Sequence, residues 1–520
     1  GVCFGTSGPG AINLVTGIAT AHLDSVPIVA ITANVPTAFI GSDAFQEADI
    51  TGITIPVTKQ NYLVRNVHDL PRIMKEAFHI ARTGRPGPVL VDVPKDVLTA
   101  ETEWHYPDKV DLPGFNPTLD GNMVQIRKAA RAIEEAQRPV IIAGHGVIIS
   151  GAYDELRELA EKATIPVITT LLGISCFPEG HPLSLGFAGM HGWAWANYAI
   201  HHSDLVVAIG MRMDDRLTGK VSAFAPGAKI VHIDIDPAEL GKNVRVDVPI
   251  VGDAKRVLQR LNPEIGPCRD RGAWLAQIRE WQERYPPDED SPAPGDLSTI
   301  PVIKGLYNVT RGDAYIVADV GQHQMFAAQH FTFNHPNKYI TSGGLGTMGY
   351  ALPAAIGVQV ARPDATVWCV IGDGGFQMTF QELAVMAIER LPVKIALVNN
   401  LNLGMVRQWQ EMFFKRNYVA VDLSGPPDFL KIAEAYGIPA WRVSRKEEVE
   451  PTIEKAMAVP GPALIEFLVK PEENVYPMVV PGTALSEVIV SEACARRNGR
   501  ESTVGAQQDS EPVPVPGFRH

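Results

Sequence analysis

The sequence has little cysteine and no pattern that would pair it. Five cysteines in 520 residues (Cys3, Cys176, Cys268, Cys369 and Cys494) are odd in number, scattered, and never form C-x-x-C. That excludes a disulfide framework and a thiolate zinc site, and fits a reducing compartment. No stretch of about 18 uncharged apolar residues occurs, so no segment reads as a membrane-spanning helix. A basic block is also missing: 46 Lys and Arg stand against 58 Asp and Glu, a net charge of −12. Such a chain lacks the electrostatic footprint for nucleic acid or an anionic membrane surface, although local basic pockets for phosphates are still allowed. There is no short-period repeat. A hydrophobic share of 46% and a charged share of 20% argue against disorder and against a coiled coil. No initiator methionine or targeting signal precedes Gly1, and the chain opens in a strand-like run, Val2-Cys3-Phe4. The expectation is that natural N-terminal residues are missing.

What is present is a regular alternation of short apolar strands with amphipathic helical stretches, which predicts α/β layering around parallel sheets. Strands are expected at 28–32, 89–93, 139–143, 205–209, 229–233, 315–317, 366–371, 393–398 and 464–467, and helices at 121–136, 152–162, 379–389 and 427–436. At roughly 150 residues per domain the length suggests about three domains. Two proline-rich polar linkers, 101–117 and 285–295, divide the chain into 1–115, 118–284 and 296–485. A tail from Arg496 to His520 has almost no apolar periodicity and is expected to be disordered.

The strongest local signal is Val367-Trp-Cys-Val-Ile371-Gly372-Asp373-Gly374-Gly375, followed by a helix, a strand and Asn399-Asn400. In one βαβ unit Asp373 and Asn400 fall just beyond the C-terminal ends of two neighbouring strands, where ligands of open α/β sheets gather. The glycines let the backbone approach a phosphate, and the next helix opens with free N–H groups. A carboxylate and a carboxamide are hard oxygen donors suited to Mg²⁺ that also binds diphosphate oxygens. An ordinary strand-to-helix turn would explain G-D-G alone, but not the helix, strand and Asn-Asn that follow. Gly344-Leu-Gly346-Thr-Met-Gly349 also fits G-x-G-x-x-G. Its acid twenty residues on, Asp364, precedes a strand instead of ending one, so it cannot serve a nucleotide ribose.

GDGGFQMTFQEL…VNN resembles the diphosphate-and-metal motif of thiamine-diphosphate enzymes. GTSGPGAINLVTGIATAHLDSVPIVAITANVP, GSDAFQEADI, GRPGPVLVDVPKDV, GMRMDDRLTG, TSGGLGTMGYALPAAIG and LGMVRQWQEMFF extend the resemblance over residues 1–485, and it is to the catalytic-subunit family of acetohydroxyacid (acetolactate) synthases. The resemblance implies three α/β domains: a pyrimidine-binding domain short of its N-terminus, a central FAD domain, and a diphosphate domain. It also implies decarboxylation of pyruvate on thiamine diphosphate and ligation of the two-carbon unit to pyruvate or 2-ketobutyrate. Asp373 and Asn400 would be side-chain Mg²⁺ ligands, and Asn402 would give its backbone carbonyl. Val320, Gly321, Gln322 and His323, with Gly346, Gly372, Gly374, Gly375 and Met405, would surround the cofactor. Met348 matches the apolar wedge that bends it. The family's activating glutamate lies upstream of GTSGPG, so this sequence does not contain it, and Glu47 is not its equivalent.

The middle segment places turns and arginines at strand ends: Gly144 after 140–142, Arg212, Asp214 and Arg216 after 205–209, and Asp234 at the end of another strand. From chemistry alone these suit an extended phosphate-bearing ligand and salt-bridged loops equally. The resemblance of RMDDR to the flavin-binding synthases implies structural FAD, held by these residues with Arg85, Thr170, Met190, His191 and Gly192.

Trp409 and Phe413 lie four apart on one helix face, ordinarily a packing pair. In the family the matching tryptophan lines the acceptor pocket and favours 2-ketobutyrate. Gln46, Phe45, Lys95 and Arg212 would approach the site from a neighbouring subunit or domain, with a cation suited to a keto-acid carboxylate. The resemblance further implies a homodimer or homotetramer, a separate small regulatory subunit, and a cytoplasmic location, or an organellar one if a transit peptide precedes Gly1. The pair His201-His202 has no partner at metal spacing and reads as structural.

Overall fold

A computed structural model describes residues 1–288 and 297–497. They form two compact units, Gly1–Leu119 with Ser342–Thr347, and Asp120–Thr341 with the chain from Met348 onward.

The first unit is built on a parallel sheet of β1 (Val2–Gly5), β2 (Val29–Asn34), β3 (Gln60–Leu63) and β4 (Val89–Pro94), in the order β1-β2-β4-β3. Every residue of β4 is buried, as expected of a strand covered on both faces. Its one charge, Asp92, is satisfied by the Thr32 hydroxyl at 2.7 Å and the Asn34 amide at 2.6 Å. Residues 342–347 pack with this unit: the Gly344 N–H donates to Asp24 at 2.7 Å, and the Thr20 and Thr347 hydroxyls meet at 2.7 Å. The sequence had placed them within the 296–485 segment.

The second unit holds two six-stranded parallel sheets. One comprises β5 (Pro139–Ala143), β6 (Val167–Thr169), β7 (Ser184–Phe187), β8 (Leu205–Ile209), β9 (Lys229–Asp234) and β10 (Val248–Val251), ordered β10-β9-β8-β5-β6-β7. The other comprises β11 (Tyr315–Ala318), β12 (Tyr339–Thr341), β13 (Val367–Gly372), β14 (Lys394–Asn399), β15 (Ala440–Val443) and β16 (Ala463–Leu468), ordered β12-β11-β13-β14-β16-β15. Strand order changes direction between β5 and β8 in the first and between β11 and β13 in the second. These are the switch points where open α/β sheets bind ligands. Helices start where side chains satisfy their first N–H groups: Asn122 caps Met123–Glu135, Asp253 caps Ala254–Glu264 and Asp428 caps Phe429–Ala435.

The nine expected strands fall within two residues of their bounds at each end, whereas β3, β6, β7, β10 and β15 were not expected. The helix expected at 379–389 differs. A helix Asp373–Thr379 starts at once from β13, and a tight turn, Phe380–Glu382, separates it from Leu383–Ile388. The break falls where the Thr379 hydroxyl bonds the Gly349 carbonyl at 3.0 Å. Residues 101–117 carry no helix or strand. Of the second linker, Tyr285 is buried against Tyr198, and Asp288 accepts the Ser491 hydroxyl; 289–295 lie outside the described residues. A short helix, Glu492–Arg497, runs through the point where the tail was expected to begin, and 498–520 lie outside the description.

Candidate active site

Three neighbouring strands end together at the switch point of the last sheet. Asp319 follows β11, Asp373 follows β13, and Asn400 follows β14. Asp373 is 3% exposed, and its Oδ1 accepts only the adjacent Gly374 N–H at 3.0 Å. Its Oδ2 is buried with no hydrogen-bond partner among the described residues. Burial pushes the acid up to about 7, only partly offset by the nearby N–H groups of Gly374, Leu401 and Asn402. A buried carboxylate oxygen left without a partner is costly. Here it lies on a glycine turn at the end of β13, next to the strand that leads to Asn400; a carboxylate with a carboxamide is a donor set that fits a hard divalent cation.

The Asn400 loop is held from behind. Asn399 is buried; its Oδ1 accepts the Leu401 N–H at 3.0 Å and its amide donates to Glu466 at 2.7 Å. Asn400 donates to Gln322 Oε1 at 3.1 Å and accepts the Asn402 N–H at 3.1 Å. Gln322 also donates to Gln408 Oε1 at 2.9 Å and to the Glu473 carbonyl at 2.8 Å. Its side chain is therefore committed, and any bond to a diphosphate falls to its backbone N–H, which lies in the first turn of helix Gln322–His330 and lacks an intrahelical partner. A Cβ on Gly404 would collide with Gln322 and Asn400, so this cradle requires glycine.

Met348 is half-buried, and its Cε reaches within 3.4 Å of where a Cβ on Gly374 would stand. His323 is buried against Gly321 and Gly372 and is held neutral, its pKa lowered by burial to about 4. Val320 joins β11 to this turn. Met405 packs against the hydrophobic core. Trp409 is half-buried on helix Gly404–Phe413, edge-on to Phe413 with ring centroids 5.6 Å apart. Gly346 belongs to the first unit. So do Gln46, which is exposed at a φ of 61°, Phe45, also exposed, and Lys95, which opens the short helix Lys95–Thr99.

Apart from Arg85, the residues expected at the flavin lie along one edge of the β5–β10 sheet, at or after the C-terminal ends of β5, β6, β7, β8 and β9. The Gly144 and Gly210 turns touch so closely that a Cβ on Gly144 would collide with the Gly210 carbonyl and Met211. Thr170 Oγ1 accepts the Gly173 N–H at 3.1 Å. Asp214 caps a short helix through the Arg216 and Leu217 N–H groups and lies 3.9 Å from Arg212; Arg216 pairs with Asp215 at 3.2 Å. The Met190 N–H donates to the Arg216 carbonyl at 2.8 Å, joining the 190–192 turn to this loop. His191 is buried with both ring nitrogens lacking hydrogen bonds among the described residues, and burial lowers its pKa to about 4. Asp234 turns its Oδ1 back to the Asp236 N–H at 2.8 Å. Arg85, in the first unit, bonds Ser25 Oγ at 2.9 Å. His201 and His202 form a ring pair leaning on Trp281, a structural arrangement.

Sequence reasoning missed Asp319, Asn399, Glu466 and Gln408. Asp319 carried the same signal as Asp373, an acid directly after a buried strand. The others act across the sheet, and no spacing along the chain announces them.

Three family models match in series: the N-terminal TPP binding domain of thiamine pyrophosphate enzymes over residues 1–53, their central domain over 126–261, and their C-terminal TPP binding domain over 319–467. An acetolactate synthase of Mycobacterium bovis is 49% identical over 498 residues, covering 94% of this chain and 81% of its own. The acetolactate synthase large subunit of Corynebacterium glutamicum is 50% identical, with 94% and 79% covered. The chain belongs to the acetolactate synthase large-subunit family. A probable acetolactate synthase large subunit of Methanocaldococcus jannaschii, 47% identical over 94% of this chain and 84% of its own, extends the family to an archaeon. As a member, the chain is a thiamine-diphosphate enzyme of the acetolactate synthase type, with parallel sheets flanked by helices.

Proposed function

We propose that this chain decarboxylates pyruvate and joins the two-carbon unit to pyruvate or 2-ketobutyrate, giving 2-acetolactate or 2-aceto-2-hydroxybutyrate for branched-chain amino-acid synthesis. The observation that carries this reading is the buried, unpartnered Oδ2 of Asp373, just after the strand next to the one that leads to Asn400 and with Met348 near the adjoining glycine turn, in a chain of this family. When bound, thiamine diphosphate supplies the nucleophilic carbon and the electron sink for decarboxylation.

The chain's own residues bind and orient. Asp373, Asn400 and the Asn402 carbonyl would hold Mg²⁺. The Gly372–Gly375 turn lets the backbone close on the diphosphate, with residues 320–323 on the other side. Met348 is the wedge under the cofactor. Trp409 lines the acceptor pocket, where its bulk favours the longer 2-ketobutyrate. Gln46 and Lys95 approach the substrate. FAD is structural, since the net reaction transfers no electrons; the glycine turns after β5 and β8 and the arginines of the 212–216 loop are suited to its phosphates.

A division of labour follows. Residues 1–115 would bind the pyrimidine, 118–284 the flavin, and 296–485 the diphosphate and metal. A homodimer or homotetramer is supported by the exposed apolar side chains Val360, Met378, Val385 and Ile388 on neighbouring helices. A small regulatory subunit and a cytoplasmic location complete the reading; no helix of the described residues is long and apolar enough to cross a membrane.

Product analysis tests it. With a chain that also carries the segment bearing the activating glutamate, pyruvate with thiamine diphosphate, Mg²⁺ and FAD should give acetolactate, and added 2-ketobutyrate should divert product to acetohydroxybutyrate. Acetaldehyde as the main product would overturn the ligase reading, and an unchanged rate without FAD would overturn the flavin.

A further inference from the structure

Asp319 is fully buried directly after β11, and no ion pair to it exists among the described residues. Its carboxylate is spent on backbone. Oδ2 accepts the Gly349 N–H at 3.0 Å and Oδ1 accepts the Ala351 N–H at 3.1 Å. Gly349 follows Met348 and turns at a φ of 81°, and Ala351 opens helix Ala351–Ala361. The two oxygens therefore grip the backbone immediately after Met348, at Gly349 and at Ala351. The opposite side of the same carboxylate faces the metal turn, because a Cβ on Gly375 would collide with Asp319 Oδ2. The Thr379 hydroxyl closes the triangle on the Gly349 carbonyl at 3.0 Å.

Only a carboxylate of this length offers two acceptors and no donor. An asparagine has the same shape, but it must present an NH₂ to one of the two N–H groups and lose that bond.

We propose that Asp319 is a positioning residue for Met348, one buried group that sets the 348–351 turn against helix Asp373–Thr379 and so fixes the apolar wedge relative to the metal-binding acid. This rests on the wedge reading of Met348. Asp319 touches neither substrate nor cofactor in this role; it acts through the turn.

The test uses the chain joined to the segment that carries the activating glutamate, first cofactor-free with isotope-labelled methionine methyls, then as holoenzyme. Met348→Leu identifies the Met348 resonance. Asp319→Asn should move that resonance and leave those of methionines remote from the turn in place. In the holoenzyme it should lower kcat by about tenfold or more, with the KM for pyruvate and the affinity for thiamine diphosphate nearly unchanged. An unmoved Met348 resonance, or activity lost only in step with folded protein, would overturn the proposal. Should Asp319→Asn fail to fold, Gly375→Ala crowds the same carboxylate from the other side. A moved Met348 resonance then supports the clamp, and an unmoved one defeats it. Met348→Ala separates the two readings: unchanged kcat there sinks the wedge itself, whereas a loss there with none in Asp319→Asn sinks only the clamp.

Discussion

Glu466 accepts the Asn399 amide at 2.7 Å, and its other oxygen accepts Arg442 Nε at 2.6 Å. The carboxylate is 1% exposed, whereas Arg442 is half in solvent. A charge rooted at the surface thus ends on the amide that shapes the Asn400 loop. Glu466→Ala should cost about 2–4 kcal/mol, because it strands a buried amide and breaks a charge-assisted pair. Urea unfolding of the cofactor-free chain measures this, and a loss below about 0.5 kcal/mol would show that the pair carries little.

Asp373 should behave in the opposite way. Its Oδ2 is buried without a partner, so Asp373→Asn should leave the cofactor-free protein as stable as before or more so. The same change should abolish Mg²⁺-dependent binding of thiamine diphosphate. Calorimetric titration beside thermal melts reads both, and retained Mg²⁺-dependent affinity would remove the metal assignment.

Trp409 and Phe413 pack edge to face on one helix, so shortening the first should enlarge the acceptor pocket proposed for it without unfolding the helix. Trp409→Leu should lower the preference for 2-ketobutyrate over pyruvate as acceptor. Product ratios in competition report it, and an unchanged ratio would assign Trp409 to packing alone.

His330 lies against Trp193 and Phe326, and burial, with Lys304 adding to it, holds its pKa down at about 3. The folded chain refuses a proton that the unfolded chain accepts below about 6.5. This contribution is fully present above that pH and is lost as the pH falls toward 3. Between pH 7 and 5 it amounts to about 2 kcal/mol. His330→Phe keeps the ring and should flatten that part of the acid profile, as stability measured at the two pH values would show.

The long central strands were legible because buried parallel strands read as short apolar runs, whereas short or edge strands such as β3, β6, β7, β10 and β15 were not; the placement of Asp373 and Asn400 at strand ends was legible because each follows such a run. Helix 373–379 was placed late, since its glycines disguise a start that β13 imposes. The supports of the site were not legible. Gln322 meets Asn400, and Asn399 meets Glu466, only after the sheet has brought segments 78 and 67 residues apart together. Gly375 reads as a phosphate-loop glycine, yet a buried acid 56 positions earlier in the numbering is what forbids it a side chain.

All pairings within the three main sheets are parallel, and among the described residues the one antiparallel pair of strands is Met478–Val479 with Val488–Ile489. A parallel pair needs a crossover before its first ladder bond can form, and β5 must wait for β8, with Pro139 opposite Leu205. No hairpin is available to seed any of these sheets. Loop entropy is spent before pairing returns it, so refolding from denaturant should take seconds or longer, with unpaired strand edges exposed meanwhile. Slow synthesis at low temperature, and chaperones that shield open edges, should therefore raise the yield of active chain more than any surface substitution.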